Sequence, residues 1–202
     1  MPVNTETLRT LQQENLRLKN DNQDLHTELN YLRQAIRALS ELQQNLDYIT
    51  PQTNVFALIN RILSSALEAV NSQDGSLQLL DEESHELVFV EVQGIARDRL
   101  LNYRMPEKEG IAGWVVANHK PRLVPDTNQE PLFSPLVDRT IGFRTNSLIC
   151  VPLMEQERVI GVIEVVNTRS GDPFKESDMD ILLLVAQLAS LAIIKAEGSR
   201  TV

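Results

Sequence analysis

SLICVPLMEQERVIGVIEVVN, residues 147–167, is the stretch whose reading decides the fold. Residues 147–153 and 159–167 are two runs rich in Val, Ile and Leu, and the polar turn Glu155-Gln156-Glu157 lies between them. Two apolar runs joined by a short polar turn predict a β-hairpin.

Working upstream, residues 136–141 predict a brief helix stopped at Gly142, and residues 126–135 are rich in turn formers. Residues 121–125 form a short strand between two prolines. Gly110-Ile111-Ala112-Gly113-Trp114-Val115-Val116 starts a short helix, and its two glycines point to close backbone approach. Residues 103–106 complete a looser strand. Residues 76–81 and 86–93 flank the turn Glu82-Glu83-Ser84-His85 and predict a second hairpin. In it Leu87, Phe89 and Glu91 alternate against Val88, Val90 and Val92, as in a sheet covered on both faces. Val55, Phe56, Ile59, Ile62, Leu63, Ala66, Leu67 and Val70 recur at helical spacing. Thr50 with Pro51 supplies a start signal for that helix, and residues 71–75 a turn after it.

Downstream, Gly171-Asp172-Pro173 is a turn. Residues 176–196 then form a last helix with Glu176 and Asp178 in its positive first turn. Its centre, residues 181–194, is apolar almost all round, which predicts burial on every side. One side has the sheet. The other needs the first helix of the domain and its copy in a dimer.

The N-terminal residues 8–46 read differently. Leu8, Asn15, Asn22, Leu29, Ile36 and Gln43 occupy heptad position a, and Leu11, Leu18, Leu25, Leu32, Leu39 and Leu46 position d. Leucine at d with asparagine at a favours a two-stranded parallel coiled coil in fixed register. Glu14, Asp21 and Glu28 at g would face Lys19, His26 and Arg33 at e of a parallel partner. The alternatives are an amphipathic helix packed on its own domain and a solvated charged arm. The division expected is a coiled coil over 1–49, one domain over 50–197 and a tail over 198–202.

The chain has 202 residues, 42% hydrophobic and 23% charged, which is ordinary for a globular protein. A net charge of −9 argues against nucleic acid or an anionic membrane as the main partner. Cys150 is the single cysteine, so no intrachain disulfide and no four-cysteine zinc site can form. No run reaches the ~18 apolar residues of a membrane span and the N-terminus is polar, so a cytoplasmic protein without membrane insertion is expected. His26, His85 and His119 are too scattered to predict a metal site. No phosphate-binding glycine loop, nucleophile elbow or catalytic carboxylate pair is found, so no enzyme is expected.

The run from Val124 to Asn167, VPDTNQEPLFSPLVDRTIGFRTNSLICVPLMEQERVIGVIEVVN, resembles the second half of a GAF domain. It is most similar to those of cyclic-nucleotide phosphodiesterases and cyanobacterial adenylyl cyclases. GIAGWV and the helix after PFKESD fit the same family in order. The resemblance covers about residues 52–196. It implies an α+β fold, a six-stranded antiparallel sheet with long terminal helices on one face and a ligand pocket closed by short helices and loops on the other.

By the same resemblance, Ser76, Val92, Gln93, Ala112, Ser134, Asp138, Ile141, Thr145 and Glu164 stand where cyclic-nucleotide-binding members line their pocket. The amides of the Gly-Ile-Ala-Gly turn could receive a phosphate. Asp138 could accept from a purine edge, and Thr145 could donate to a phosphate or ribose oxygen. Ser134 replaces a stacking aromatic, and Ile141 a threonine. Asn167, Phe174 and Asp178 match three positions of the phosphodiesterase-type signature. Thr168 and Met179 replace its lysine and glutamate, so the lysine–aspartate bridge cannot form. The lone Cys150 argues against the GAF methionine-sulfoxide reductases, which need a cysteine pair.

Two functions follow from these readings. One is a dimeric sensory module that binds a cyclic nucleotide or another small molecule and signals through the coil to a separate output protein. The other is a ligand-free scaffold built on the same fold.

Overall fold

The computed structural model describes residues 5–47, 50 and 53–198. The expected tail beyond residue 198, and Pro51 of the expected helix start, lie outside these. The chain divides into two compact units, residues 1–34 and 35–202. Helix α1, Thr5–Asp47, begins in the first and ends in the second. In the first unit Leu8, Leu11, Leu18, Leu25, Leu29 and Leu32 are all exposed. In the second, Ala35 is buried, Ile36 exposed and Leu39 half-buried. The side chains of Glu28 and Leu46 lie outside the described residues.

The second unit holds a six-stranded sheet built from β1 (Ser72–Asp81), β2 (Glu86–Gln93), β3 (Arg104–Pro106), β4 (Arg122–Val124), β5 (Leu148–Glu155) and β6 (Arg158–Thr168). The order is β3-β2-β1-β6-β5-β4 and every neighbour is antiparallel. In the β5–β6 hairpin Glu155 pairs with Arg158, which leaves Gln156 and Glu157 as the loop. Gln156 takes φ 55° there, so the loop is shorter than the expected three-residue turn.

One face of the sheet carries α2 (Val55–Ala69) and α6 (Glu176–Gly198), which pack on each other and on β1 and β5. Ile62, Leu63, Leu182, Val185 and Ala189 are fully buried between them. Each large side chain so buried contributes about 1.5–3 kcal/mol, more than any single helix cap. Ser190 latches this layer to the sheet: its Oγ donates to Ala186 O at 2.9 Å and accepts from Met154 N at 2.9 Å. The other face carries α4 (Gly110–Asn118), α5 (Leu136–Ile141) and the short α3 (Arg97–Leu100).

The structure corrects three expectations. Helix α2 starts at Val55, not after Thr50, because Asn54 is the cap: its Oδ1 accepts from Phe56 N at 3.0 Å and Ala57 N at 3.2 Å. Strand β1 begins at Ser72, so most of the expected turn over 71–75 is strand; Asn71 alone takes the left-handed turn, with φ 52°. Alternation along β2 breaks at Val90, where Leu77 pairs with Glu91 but Gln78 with Phe89. The bulge puts Phe89 and Val92 on one face and Glu91 on the other. Within one chain α6 leaves Leu184 and Leu191 exposed. Among the described residues α6 is the one helix long and apolar enough to cross a membrane, and half of that stretch is buried inside the fold.

Candidate functional site

A cavity of about 110 Å³ lies between the sheet and the α3–α4–α5 layer. That is well above the ~10–15 Å³ a single water needs. Its floor is the row of side chains that the β-pleat aims away from α2 and α6. Val92 pairs with Ser76, Ser76 with Glu164 and Glu164 with Cys150, so these four lie in line across β2, β1, β6 and β5. Partners opposite one another share a face.

Eight of the nine residues expected to line a pocket border this cavity: Ser76, Val92, Gln93, Ala112, Ser134, Asp138, Thr145 and Glu164. The side chain of Ile141 lies outside the described residues. Their roles differ from the expected ones in three places. Thr145 is buried and donates its hydroxyl to Asp138 Oδ1 at 2.8 Å, while its N–H goes to Asp138 Oδ2 at 2.7 Å. The pair is a clasp across the Gly142 turn, so Thr145 does not offer that proton to a ligand. Gln93 spends its amide nitrogen on α2, donating to Ser64 Oγ at 2.7 Å and Asn60 O at 3.2 Å. At the position of the missing aromatic, Ser134 does line the cavity, but so does its neighbour Phe133, which restores a ring at that wall.

Residues that the sequence reading passed over matter as much. Gln78 is 1% exposed; its Nε2 donates to Ser76 Oγ at 3.1 Å, and its Oε1 is buried with no partner. Period-2 spacing from Ser76 puts Gln78 on the same face, a signal present in the sequence. Asp74 also borders the cavity, with Oδ1 accepting from Ile95 N at 3.1 Å. It was hidden by the late start expected for β1.

Glu164 is the electrostatic centre of the floor. Its carboxyl is pushed up to about 7, first because burial disfavours the charged form and second because Asp138 adds a negative charge. Its surface area is only partly covered, since it borders the cavity, but it is shielded from bulk water. Cys150, its strand neighbour, is fully buried, and burial drives its thiol well above the usual range. That matches a small buried hydrophobe rather than a nucleophile.

The roof is α4. Gly113 lets the turn that leads into the helix fold back against it: a Cβ there would lie 2.4 Å from Lys108 C. The first-turn amides at Gly110–Ala112 border the cavity, and Glu109 brings a carboxyl group to the same helix end.

The three signature positions act outside the cavity. Asn167 Oδ1 accepts from Asn146 N at 2.8 Å and its Nδ2 donates to Arg144 O at 2.9 Å, tying the loop after α5 to β6. Phe174 is buried, with its N–H on Ser147 Oγ at 2.9 Å. Asp178 Oδ2 accepts from Lys175 N at 2.7 Å at the start of α6. Thr168, in the lysine's place, donates to Asp172 O at 2.6 Å. No group of three or more metal-ligating side chains occurs among the described residues.

Comparison with known proteins agrees with this architecture. The GAF domain family model matches residues 52–194. A curated relative, the dual 3',5'-cyclic-AMP and -GMP phosphodiesterase 11A of Takifugu rubripes, is 31% identical over 96 residues, which is 46% of this chain and 11% of that protein. The chain thus corresponds to about a ninth of that relative's length. Among solved structures, the GAF domain of a phosphoenolpyruvate-protein phosphotransferase from Coxiella burnetii superposes with TM-score 0.71 at 18% identity, covering 84% of this chain and 98% of that one. The free methionine-R-sulfoxide reductase of Neisseria meningitidis, solved with its substrate, gives TM-score 0.64 at 24% identity, covering 83% and 90%. At such identities the likeness is one of fold alone. With the family model spanning most of the chain, and the sheet, its two helical covers and the cavity all in place, the protein belongs to the GAF domain family.

Proposed function

We propose that the protein is a dimeric, non-enzymatic sensory or regulatory module. A small molecule binds in the GAF cavity, and α1 passes the change to a separate output chain. The observation that carries this is the cavity floor. A packing void would be lined by satisfied or apolar groups, whereas this one has a buried amide oxygen without a partner beside a carboxyl held near 7. The exposed leucine seam of α1 supports a second copy as its cover, in a parallel coil. Leu184, Leu191 and Phe56, exposed on α6 and α2, give the terminal helices apolar surface for the same partner. The composition fits a cytoplasmic setting, with no nucleic acid or membrane as partner.

One observation favours the scaffold reading instead. Asp138 and Thr145 satisfy each other without a ligand. Native mass spectrometry of the purified chain, followed by a thermal-shift screen with nucleotides and other metabolites, separates the two. A retained or stabilising small molecule supports the sensor. An empty dimer that no metabolite stabilises supports the scaffold.

A further inference from the structure

The cavity is one-sided in charge. Asp74, Glu109, Asp138 and Glu164 border it, and no Lys, Arg or His does among the described residues. Arg122, on the strand beside Cys150, lies outside that lining and is already engaged. Its Nη2 donates to Glu130 Oε2 at 2.7 Å, and its guanidinium sits 4.6 Å above the Trp114 ring. An entering anion would therefore meet carboxylates with no counter-charge. The α4 amides do not reverse this, because Glu109 stands at the same helix end.

A second, independent feature points the same way. Gln78 is almost wholly buried and presents an unpartnered acceptor, Oε1. Gln78 pairs with Val162 and Ser76 with Glu164, so Gln78 and Glu164 are diagonal neighbours on one face, ~7–8 Å apart along the sheet. A donor-rich head placed between them satisfies both. The walls above are aromatic and aliphatic, with Phe89, Phe133 and Met105. Such side chains suit the apolar body of a ligand.

Resting on the reading of the cavity as a ligand site, we propose that it takes a small, partly apolar molecule carrying a protonated amine. The ammonium sits over Glu164 and the Gln78 amide oxygen, and the apolar part against Phe89 and Phe133. A cyclic nucleotide, whose phosphodiester is an anion, offers this floor no cation. Binding of the cation ionises Glu164 and releases its proton. The groups that face Glu164 in this titration are Asp138 from α5, Cys150 from β5, Asp74 from β1 and Glu109 from α4.

The test is calorimetry on the full chain with four probes: phenethylamine, 3-phenylpropanoate, 2-phenylethanol and cyclic AMP. Phenethylamine is expected to bind at least about tenfold more tightly than the other three. Its affinity rises about 25-fold from pH 5.5 to 7.5, and at pH 6 the measured heat changes with the buffer's ionisation enthalpy because a proton leaves. Glu164→Gln weakens the amine about tenfold and removes the pH dependence. If that variant fails to fold, proton release by the native chain still decides. Tighter binding of 3-phenylpropanoate or cyclic AMP overturns the proposal while leaving the cavity a ligand site. Absence of binding by all four overturns it as well, and the metabolite screen then decides separately whether the cavity has any ligand.

Discussion

Glu164 couples the cavity to pH. Its carboxyl holds a proton up to about 7 in the folded chain, against an ordinary value of 4.5. The folded state therefore binds more protons than the unfolded one between those values, and stability falls as pH rises through that window. The loss is complete above about pH 7. Glu164→Gln, neutral at every pH, should change little at pH 4.5 and stabilise the empty protein at pH 8 by at most about 3 kcal/mol. Paired chemical denaturation curves at the two pH values measure this. Asp138 has the opposite character. Both its oxygens are spent on Thr145, so Asp138→Ala should cost about 1–3 kcal/mol and lower the melting temperature of the unliganded protein by several degrees. An unchanged melting temperature would mean the clasp carries no stability. Neither role was legible in the sequence. Seven residues separate Asp138 from Thr145, and only the turn at Gly142, φ 66°, brings them together. Glu164 could be placed on the last strand by its family motif, but the second charge that raises its carboxyl, Asp138, comes from α5.

At the scale of elements, the hairpins read well because their polar turns interrupt unambiguous apolar runs. The bounds of β2 are those expected from sequence. Failures came where one side chain outweighed a pattern. Asn54 captured the start of α2 from Thr50-Pro51, since its carboxamide reaches two free amides at once. The bulge at Val90 cannot be seen in a run of alternating valines, as an extra residue leaves the composition unchanged. Helix α3, four residues long, is too short for periodicity to show. The division of the chain between residues 34 and 35 bears on α1. Ala35, the first residue of the second unit, is buried, whereas the leucines of the first unit are exposed. Deleting residues 1–34 should leave a cooperative thermal transition at nearly the native temperature. Deleting residues 1–49 should leave the domain folded, because it keeps its sheet, α2 and α6, but lower the transition by a few degrees. Loss of any cooperative transition in the longer deletion would make α1 part of the core.

For the whole molecule, the question is what covers the apolar surface one chain leaves open. Residues 8–46 have leucine at every d position and asparagine at two a positions, the pattern on which the proposed two-stranded parallel coil rests. Light scattering is expected to give a dimer at micromolar concentration, and spin labels at position 13 to lie close together, as in a parallel coil. A monomer excludes the dimer, and distant labels exclude the parallel orientation.

A thermal-shift screen of the native chain beside the cavity-filling variant Ser134→Trp probes the proposed small-molecule site over Glu164 and Gln78. A ligand at a hundred times its dissociation constant stabilises by about 2.7 kcal/mol, or roughly 5–10 °C for a domain of this size. At least one metabolite should produce such a shift in the native protein and none in Ser134→Trp. A shift that persists in the variant, or no shift with any metabolite, would contradict it.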